Sequence, residues 1–205
     1  AHSPDSDDAF MFYALASGKI DTEGLTYVHE LQDIETLNQR ALRGELEVRA
    51  VSIHAYAYLT DRYALLPHGS SMGDQYGPRL VSLTPQSRES IRGKRIPIPG
   101  PLTTAFLALR LYQPDFVAVP TPSDQIEAAV TSGSVDLGLL IHEGQLTYAA
   151  EGLSLIVDMG EWWFQETGLP LPLGGNVIRK DLGSSLIATI SHHLHASIAY
   201  GLEHR

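Results

Sequence analysis

Two places in this chain combine residue type and spacing in a way that could do chemistry. One is His142, in the stretch VDLGLLIHEGQLTY, at the end of the mainly apolar run Val135 to Ile141. Such a run reads as a strand covered on both faces, so it delivers a titratable imidazole to the end of a core strand. Histidine exchanges a proton near neutral pH, which makes a general base or acid the natural functional reading; a hydrogen-bonded structural histidine is the alternative. Glu143 is placed either to orient it or to cap the next helix. The other place is Thr103-Thr104, after the turn Gly100-Pro101 at a predicted helix start. Open N–H groups and the helix dipole favour a carboxylate or phosphate there, with ordinary threonine N-capping as the alternative. Ser52 repeats the arrangement after Glu47 to Val51, so two helix N-termini from different lobes could grip one anion from both sides.

Metal chemistry has weaker support. Asp5, Asp7 and Asp8 lack the EF-hand spacing, and capping of the following helix by Asp7 or Asp8 is the expected role. His192 and His195 share a helical face at i, i+3 with His193 between them, but no HExxH pattern is present and a solvated face is expected. No metal site is predicted. Trp162, Trp163 and Phe164 read as core aromatics with one face able to reach a cleft, and Asn176 as a ligand donor or a turn residue. There is no GxGxxG fingerprint, P-loop or GxSxG elbow, so neither a nucleotide cofactor nor a serine hydrolase is supported.

The elements that must position these residues alternate. Ala9 to Ser17 predicts a helix, Leu25 to Leu31 a strand of period 2, Ile34 to Leu42 a helix and Glu47 to Val51 a strand; Ser52 then starts a helix through His54, Tyr56 and Leu59. Further on, Arg95 to Ile98 leads to the helix Thr103 to Tyr112, Phe116 to Val119 leads to the helix Ser123 to Ser132, and Val135 to Ile141 ends at His142. Strand-loop-helix units of this kind build an α/β sheet with ligands expected at the carboxyl ends of the strands. Gly69 to Gly77 before the strand-like Arg79 to Leu83, and Gly168 to Gly175 before Asn176, read as lobe crossings. Lobe 1 is therefore placed at 1–83 plus 177–205 and lobe 2 at 84–176, with a ligand cleft between lobes that closes by hinge motion.

Composition narrows the class. With 205 residues, 43% hydrophobic and 19% charged, the chain suits a globular protein. A formal charge of -10 without a dense basic cluster argues against nucleic acid and leaves small-molecule partners favoured. No apolar stretch reaches the roughly 20 residues of a membrane span. The absence of cysteine removes disulfides, thiolate metal sites and thiol nucleophiles. The chain begins at Ala1 without Met, directly before a turn cluster, and ends in a helix, Leu182 to Arg205, with no terminator, so an earlier strand and later residues are expected in the natural protein.

Several long stretches together resemble one family: SPDSDDAFMFYAL (Ser3 to Leu15), DIETLNQRAL (Asp33 to Leu42), VSIHAYAYLTDRYALL (Val51 to Leu66), TTAF (Thr103 to Phe106), LIHEGQLTY (Leu140 to Tyr148) and WWFQETGLPLPLGG (Trp162 to Gly175). In this order, along essentially the whole chain, they are similar to the 1,4-dihydroxy-6-naphthoate synthases of the futalosine route to menaquinone. The resemblance implies a two-lobed periplasmic-binding-protein type II-like fold turned to catalysis. It implies a cytoplasmic carbon-carbon lyase without metal or organic cofactor, acting on cyclic dehypoxanthinylfutalosine, an anionic small molecule. His142 stands where that family places its proton acceptor, and the family's substrate contacts fall on the segment Ala50, Val51, Ser52 and on Thr104-Ala105, beside the Thr103 helix start argued above. Some relatives carry a basic residue where this chain has Ala50, so backbone rather than side-chain contact is expected there. A solute-binding protein for small carboxylates and a chorismate dehydratase of the same pathway, which shares the fold, are the alternatives; the Ser3 to Leu15 and IHEGQLTY stretches fit the dehydratase less well.

Overall fold

Apolar runs punctuated by turn residues set the element boundaries, and the computed structural model describes residues 1–204. In chain order the elements are α1 (Ser6–Ala16), α2 (Ile34–Leu42), β1 (Val48–Ser52), α3 (Ile53–Tyr56), β2 (Tyr63–Gly73), β3 (Arg79–Ser82), β4 (Arg95–Ile98), α4 (Thr104–Tyr112), β5 (Val117–Pro120), α5 (Ser123–Thr131), β6 (Leu137–Leu140), α6 (Gly144–Thr147), β7 (Ser154–Asp158), α7 (Met159–Thr167), β8 (Leu171–Arg179) and α8 (Ser184–Glu203). They fall into two compact units, Ala1–Ser71 with the chain from Gly174 onward, and Met72–Leu173.

In the first unit the sheet order is β1-β8-β2, with β1 antiparallel to β8 from Val48↔Ile178 to Ser52↔Gly174. Met11, Phe12 and Leu15 of α1 pack with Ile190 and Leu194 of α8 in one core. Ser197 links the two helices inside that core: its hydroxyl donates to the Met11 carbonyl at 2.8 Å and accepts from the Leu15 N–H at 3.2 Å. Asp33 caps α2 by accepting from the Thr36 N–H at 2.9 Å.

In the second unit β3 is the centre of an antiparallel sheet, order β6-β3-β7, while β4 and β5 form a parallel pair joined through α4. All four residues of β6 are buried. Its alternation splits between two cores: Leu137 and Leu139 join Leu80, Ile96 and Ile98, whereas Leu140 joins Val81, Ile126 and Val130. Gly138 faces α5 so closely that a Cβ there would stand 2.6 Å from Val130 Cγ2 and 2.7 Å from Ile126 Cγ2. The strand and α5 approach as they do because that side chain is missing.

Several expectations change. Leu25 to Leu31 forms no strand: it has a single isolated bridge, Leu31 with His2, and Val28 and Leu31 are exposed, so its period-2 pattern finds no ladder. The first helix starts earlier, at Ser6, with Asp5 at the N-cap making no side-chain cap bond; Asp7 and Asp8 lie inside its first turn. The helix after Ser52 stops at Tyr56. The boundaries between units lie within the glycine-rich stretches at 69–77 and 168–175, each inside a strand: 71/72 in β2 and 173/174 in β8. The division falls at 71/72 and 173/174 instead of 83/84 and 176/177, because Arg79–Ser82 pairs with β6 and β7 and so belongs to the second unit.

Candidate functional site

The burial of β6 fixes where the chain emerges, and two residues later His142 is half-buried with φ 56°. A non-glycine residue in this left-handed region is strained; His, Asn and Asp tolerate it best. Only Glu23, Leu46 and Gln75 share it among the described non-glycine residues. Such outliers persist where the surroundings enforce them, commonly at functional positions. The turn closes by the Gln145 N–H donating to the His142 carbonyl at 3.1 Å and the Leu146 N–H to the Glu143 carbonyl at 2.8 Å. Glu143 is exposed and makes no side-chain cap bond to α6, so its capping role is not realised.

Thr103 is the N-cap of α4 and is 2% exposed. Its hydroxyl accepts from the Phe106 N–H at 3.2 Å and donates to the Gly100 carbonyl at 2.8 Å. The Thr104 hydroxyl donates to the Leu173 carbonyl at 2.7 Å. Both hydroxyl protons thus go to backbone oxygens, and Thr103 acts as an ordinary N-cap of α4. β4 and β6 lie side by side in this unit, so Thr103-Thr104-Ala105 and His142 follow the carboxyl ends of neighbouring strands.

Ala50, Val51 and Ser52 belong to the first unit, at the end of β1, and are buried. Ser52 is locked by a residue without a sequence signal: Asn38, fully buried on α2, accepts from the Ser52 N–H at 2.9 Å and donates to its hydroxyl at 3.0 Å. Beside it in β1, Arg49 is also fully buried; its Nη1 donates to the Leu37 carbonyl at 2.9 Å and its guanidinium lies 5.5 Å from the Tyr63 ring centre, while Nε and Nη2 have no hydrogen-bond partner among the described residues. Desolvation by this burial pulls the guanidinium below its ordinary pKa.

The acidic turn holds a perturbed carboxyl. Asp8, 7% exposed, accepts from the Ser3 N–H at 2.7 Å, and burial nevertheless raises its pKa to about 6. Nearby His2 and His29, 3.3 Å apart between ring nitrogens, are both pushed down, first by desolvation. Among the described residues no group of three His, Cys, Asp or Glu side chains is arranged to hold a metal. His192 and His195 are exposed and His195 packs on His68 at 4.7 Å, whereas His193 is buried and its Nδ1 meets the Tyr27 hydroxyl at 2.9 Å. Trp162 and Trp163 pack against the second unit's core, and Asn176 is buried in β8 with Nδ2 donating to the Gly69 carbonyl at 3.3 Å. An open cavity of about 610 Å³ in the first unit, lined by Ser6, Asp7, Phe10, Met11, Gly69 and Ile198, includes none of the predicted site residues.

Sequence comparison matches residues 1–205 to a family described as menaquinone biosynthesis. A 1,4-dihydroxy-6-naphthoate synthase of Thermus thermophilus is 42% identical over 202 residues, covering 98% of this chain and 73% of the relative. One of Streptomyces coelicolor is 38% identical over 204 residues, covering 97% and 71%. A crystal structure of an Archaeoglobus fulgidus protein superposes with TM-score 0.94 at 49% identity, covering 99% of this chain and 75% of that one. The alkanesulfonate-binding protein SsuA of Xanthomonas axonopodis pv. citri, at 12% identity, superposes with TM-score 0.70 over 98% of this chain and 71% of that one. That likeness shows the fold, which is that of the periplasmic solute-binding proteins.

Proposed function

The chain belongs to the menaquinone biosynthesis family, and from that premise we propose that it is the enzyme of that pathway that forms 1,4-dihydroxy-6-naphthoate, a carbon-carbon lyase acting on cyclic dehypoxanthinylfutalosine in the cytoplasm. Membership and the names of the two synthases at 42% and 38% identity support the activity. Among the described residues no helix is long and apolar enough to cross a membrane.

The observation that carries the mechanism is the left-handed His142 at the end of a strand buried on both faces. In this reading His142 is the proton acceptor. It removes a proton from a hydroxyl of the sugar portion; the O–H pair becomes a carbonyl of the released fragment as the carbon-carbon bond breaks, the pair of that bond passes into the adjacent ring carbonyl as an enolate that regains the proton, and aromatisation to the naphthoate makes the step downhill. The positive end of the α4 dipole faces the substrate carboxylate, with the start of the helix fixed by Thr103 as cap and by the Thr104 hydroxyl bond to Leu173. Ala50 and Val51 are assigned to substrate binding on the family resemblance, and Ser52 on that resemblance and its place at a helix start.

The test is His142→Asn. Asparagine also tolerates a left-handed backbone, so this variant removes the base while keeping the turn. Turnover of the cyclic substrate, followed by mass spectrometry, falls about 10²- to 10⁴-fold with the circular dichroism spectrum unchanged. Near-normal turnover by folded protein would sink the assignment. Parallel incubation with chorismate yields no product; dehydration of chorismate would instead identify the neighbouring reaction, and binding without turnover of either compound a receptor.

A further inference from the structure

The turn that carries His142 is held from behind by a connected set of polar groups. Gln145 lies three residues on, and its side-chain amide satisfies both of its groups when Oε1 accepts from the His142 N–H at 2.9 Å and Nε2 donates to the Gly77 carbonyl at 2.7 Å. The backbone N–H of Gln145 donates in return to the His142 carbonyl at 3.1 Å. This is the reciprocal pattern of the glutamine half of a capping box, here wrapped round a residue with positive φ. Arg79 holds the carbonyl of the same Gln145 through Nη1 at 2.5 Å, lies 5.1 Å over the Tyr148 ring, and donates from Nε to Asp158 Oδ2 at 3.0 Å. Strand register brings these groups together, because Arg79 is the cross-strand partner of both Leu140, the last residue of β6, and Asp158, the last of β7.

Both anchors are themselves fixed. Asp158, 6% exposed, caps α7 with its other oxygen, accepting from the N–H groups of Gly160 at 2.9 Å and Glu161 at 3.2 Å. The Gly77 carbonyl cannot drift, because the backbones of Tyr76-Gly77 and Gly160 touch: a Cβ on Gly160 would stand 1.9 Å from the Tyr76 oxygen.

We propose that Gln145 is the positioning residue for His142, with the Arg79–Asp158 pair holding Gln145 in turn; the proposal rests on His142 being the proton acceptor. A histidine released from its left-handed conformation relaxes to negative φ, which swings the Cα–Cβ bond and carries the imidazole away from its target. General-base transfer needs hydrogen-bond reach, and a displacement of about 1 Å lowers the rate on the order of a hundredfold. Gln145 therefore acts on kcat through another residue and leaves ground-state binding at the α4 terminus unchanged.

The experiment measures kcat and KM for the cyclic substrate in Gln145→Leu and Asp158→Asn, and Gln145→Leu again in a His142→Asn background. Gln145→Leu lowers kcat on the order of a hundredfold with KM within about twofold. In the His142→Asn background it causes no further loss, since there is no imidazole left to aim. Asp158→Asn keeps an oxygen for the α7 cap but removes the ion pair and hydrogen bond to Arg79, so it reads the same effect, about tenfold, without cutting the Gln145 side chain. Native kcat in Asp158→Asn or Gln145→Leu, or an equal fractional loss from Gln145→Leu with and without His142, overturns the positioning role. If His142→Asn alone keeps near-normal turnover, the base assignment falls and this inference with it; an inactive His142→Asn beside an active Gln145→Leu removes this inference only.

Discussion

At the residue scale, the buried titratable groups follow local desolvation and not their sequence labels. Asp8 reads as one of three acidic turn residues, but inside the first turn of α1 its carboxyl is buried and its pKa rises to about 6 from 3.8. A carboxyl whose folded pKa lies above its unfolded value contributes stability that is complete below about pH 4 and is lost as pH rises through about 6. Asp8→Asn removes that loss, so it stabilises the protein at pH 7 to 8, by at most about 3 kcal/mol, and by progressively less toward pH 4. The check is urea unfolding of both proteins across that range. His2 and His29 act in the opposite direction, because their depressed pKa values make the folded state lose stability as pH falls below their unfolded value of 6.5. They are common to both proteins and cancel in the difference. A variant no more stable than the parent at pH 8 would show that the Ser3 N–H offsets the burial of Asp8.

At the element scale, β6 is the part on which the candidate site depends most. It is buried on both faces, its Gly138 lets α5 approach within side-chain contact, and it ends two residues before His142. Gly138→Ala places a methyl carbon 2.6 to 2.7 Å from Val130 and Ile126 in a packed core. It should therefore destabilise the protein by about 1 to 3 kcal/mol, seen as a lower urea midpoint with an unchanged slope. Wild-type stability in this variant would mean that α5 moves away freely. The elements around β6 were read from the sequence with uneven success. Helices with an apolar stripe of helical period, such as α2 over Ile34–Leu42, appear where expected. Leu25 to Leu31 does not become a strand, because alternation specifies which faces a strand would have and not whether a neighbour is there to pair with it.

At the scale of the whole molecule, a formal charge of -10 would oppose the approach of the anionic substrate proposed above. Repulsion of this kind is long-ranged and screened by salt, whereas contacts inside the site are screened much less. Raising the ionic strength from about 10 mM to about 150 mM therefore raises kcat/KM by about two- to threefold and leaves kcat unchanged. Steady-state rates over a salt series check this, and a falling kcat/KM would reveal a local positive field that outweighs the net charge. The glycine-rich stretches suggested two chain passages, while strand pairing decides which unit Arg79–Ser82 joins.

The sequence by itself determined the α/β class, the buried strand leading to His142, the threonine-capped helix start at Thr103 and, through an ordered set of motifs, the family. These are local or cumulative signals: a periodicity, a cap, an ordered set of matching stretches. Only the tertiary structure decided what surrounds them. The left-handed backbone of His142, its support by Gln145 and Arg79 and the hold of Asn38 on Ser52 join residues brought together by strand register and helix packing. Arg79 and Asp158 are 79 positions apart in the chain and opposite each other in the sheet. Pairing across such a separation is fixed by the burial of whole strands, and no single stretch of sequence contains it.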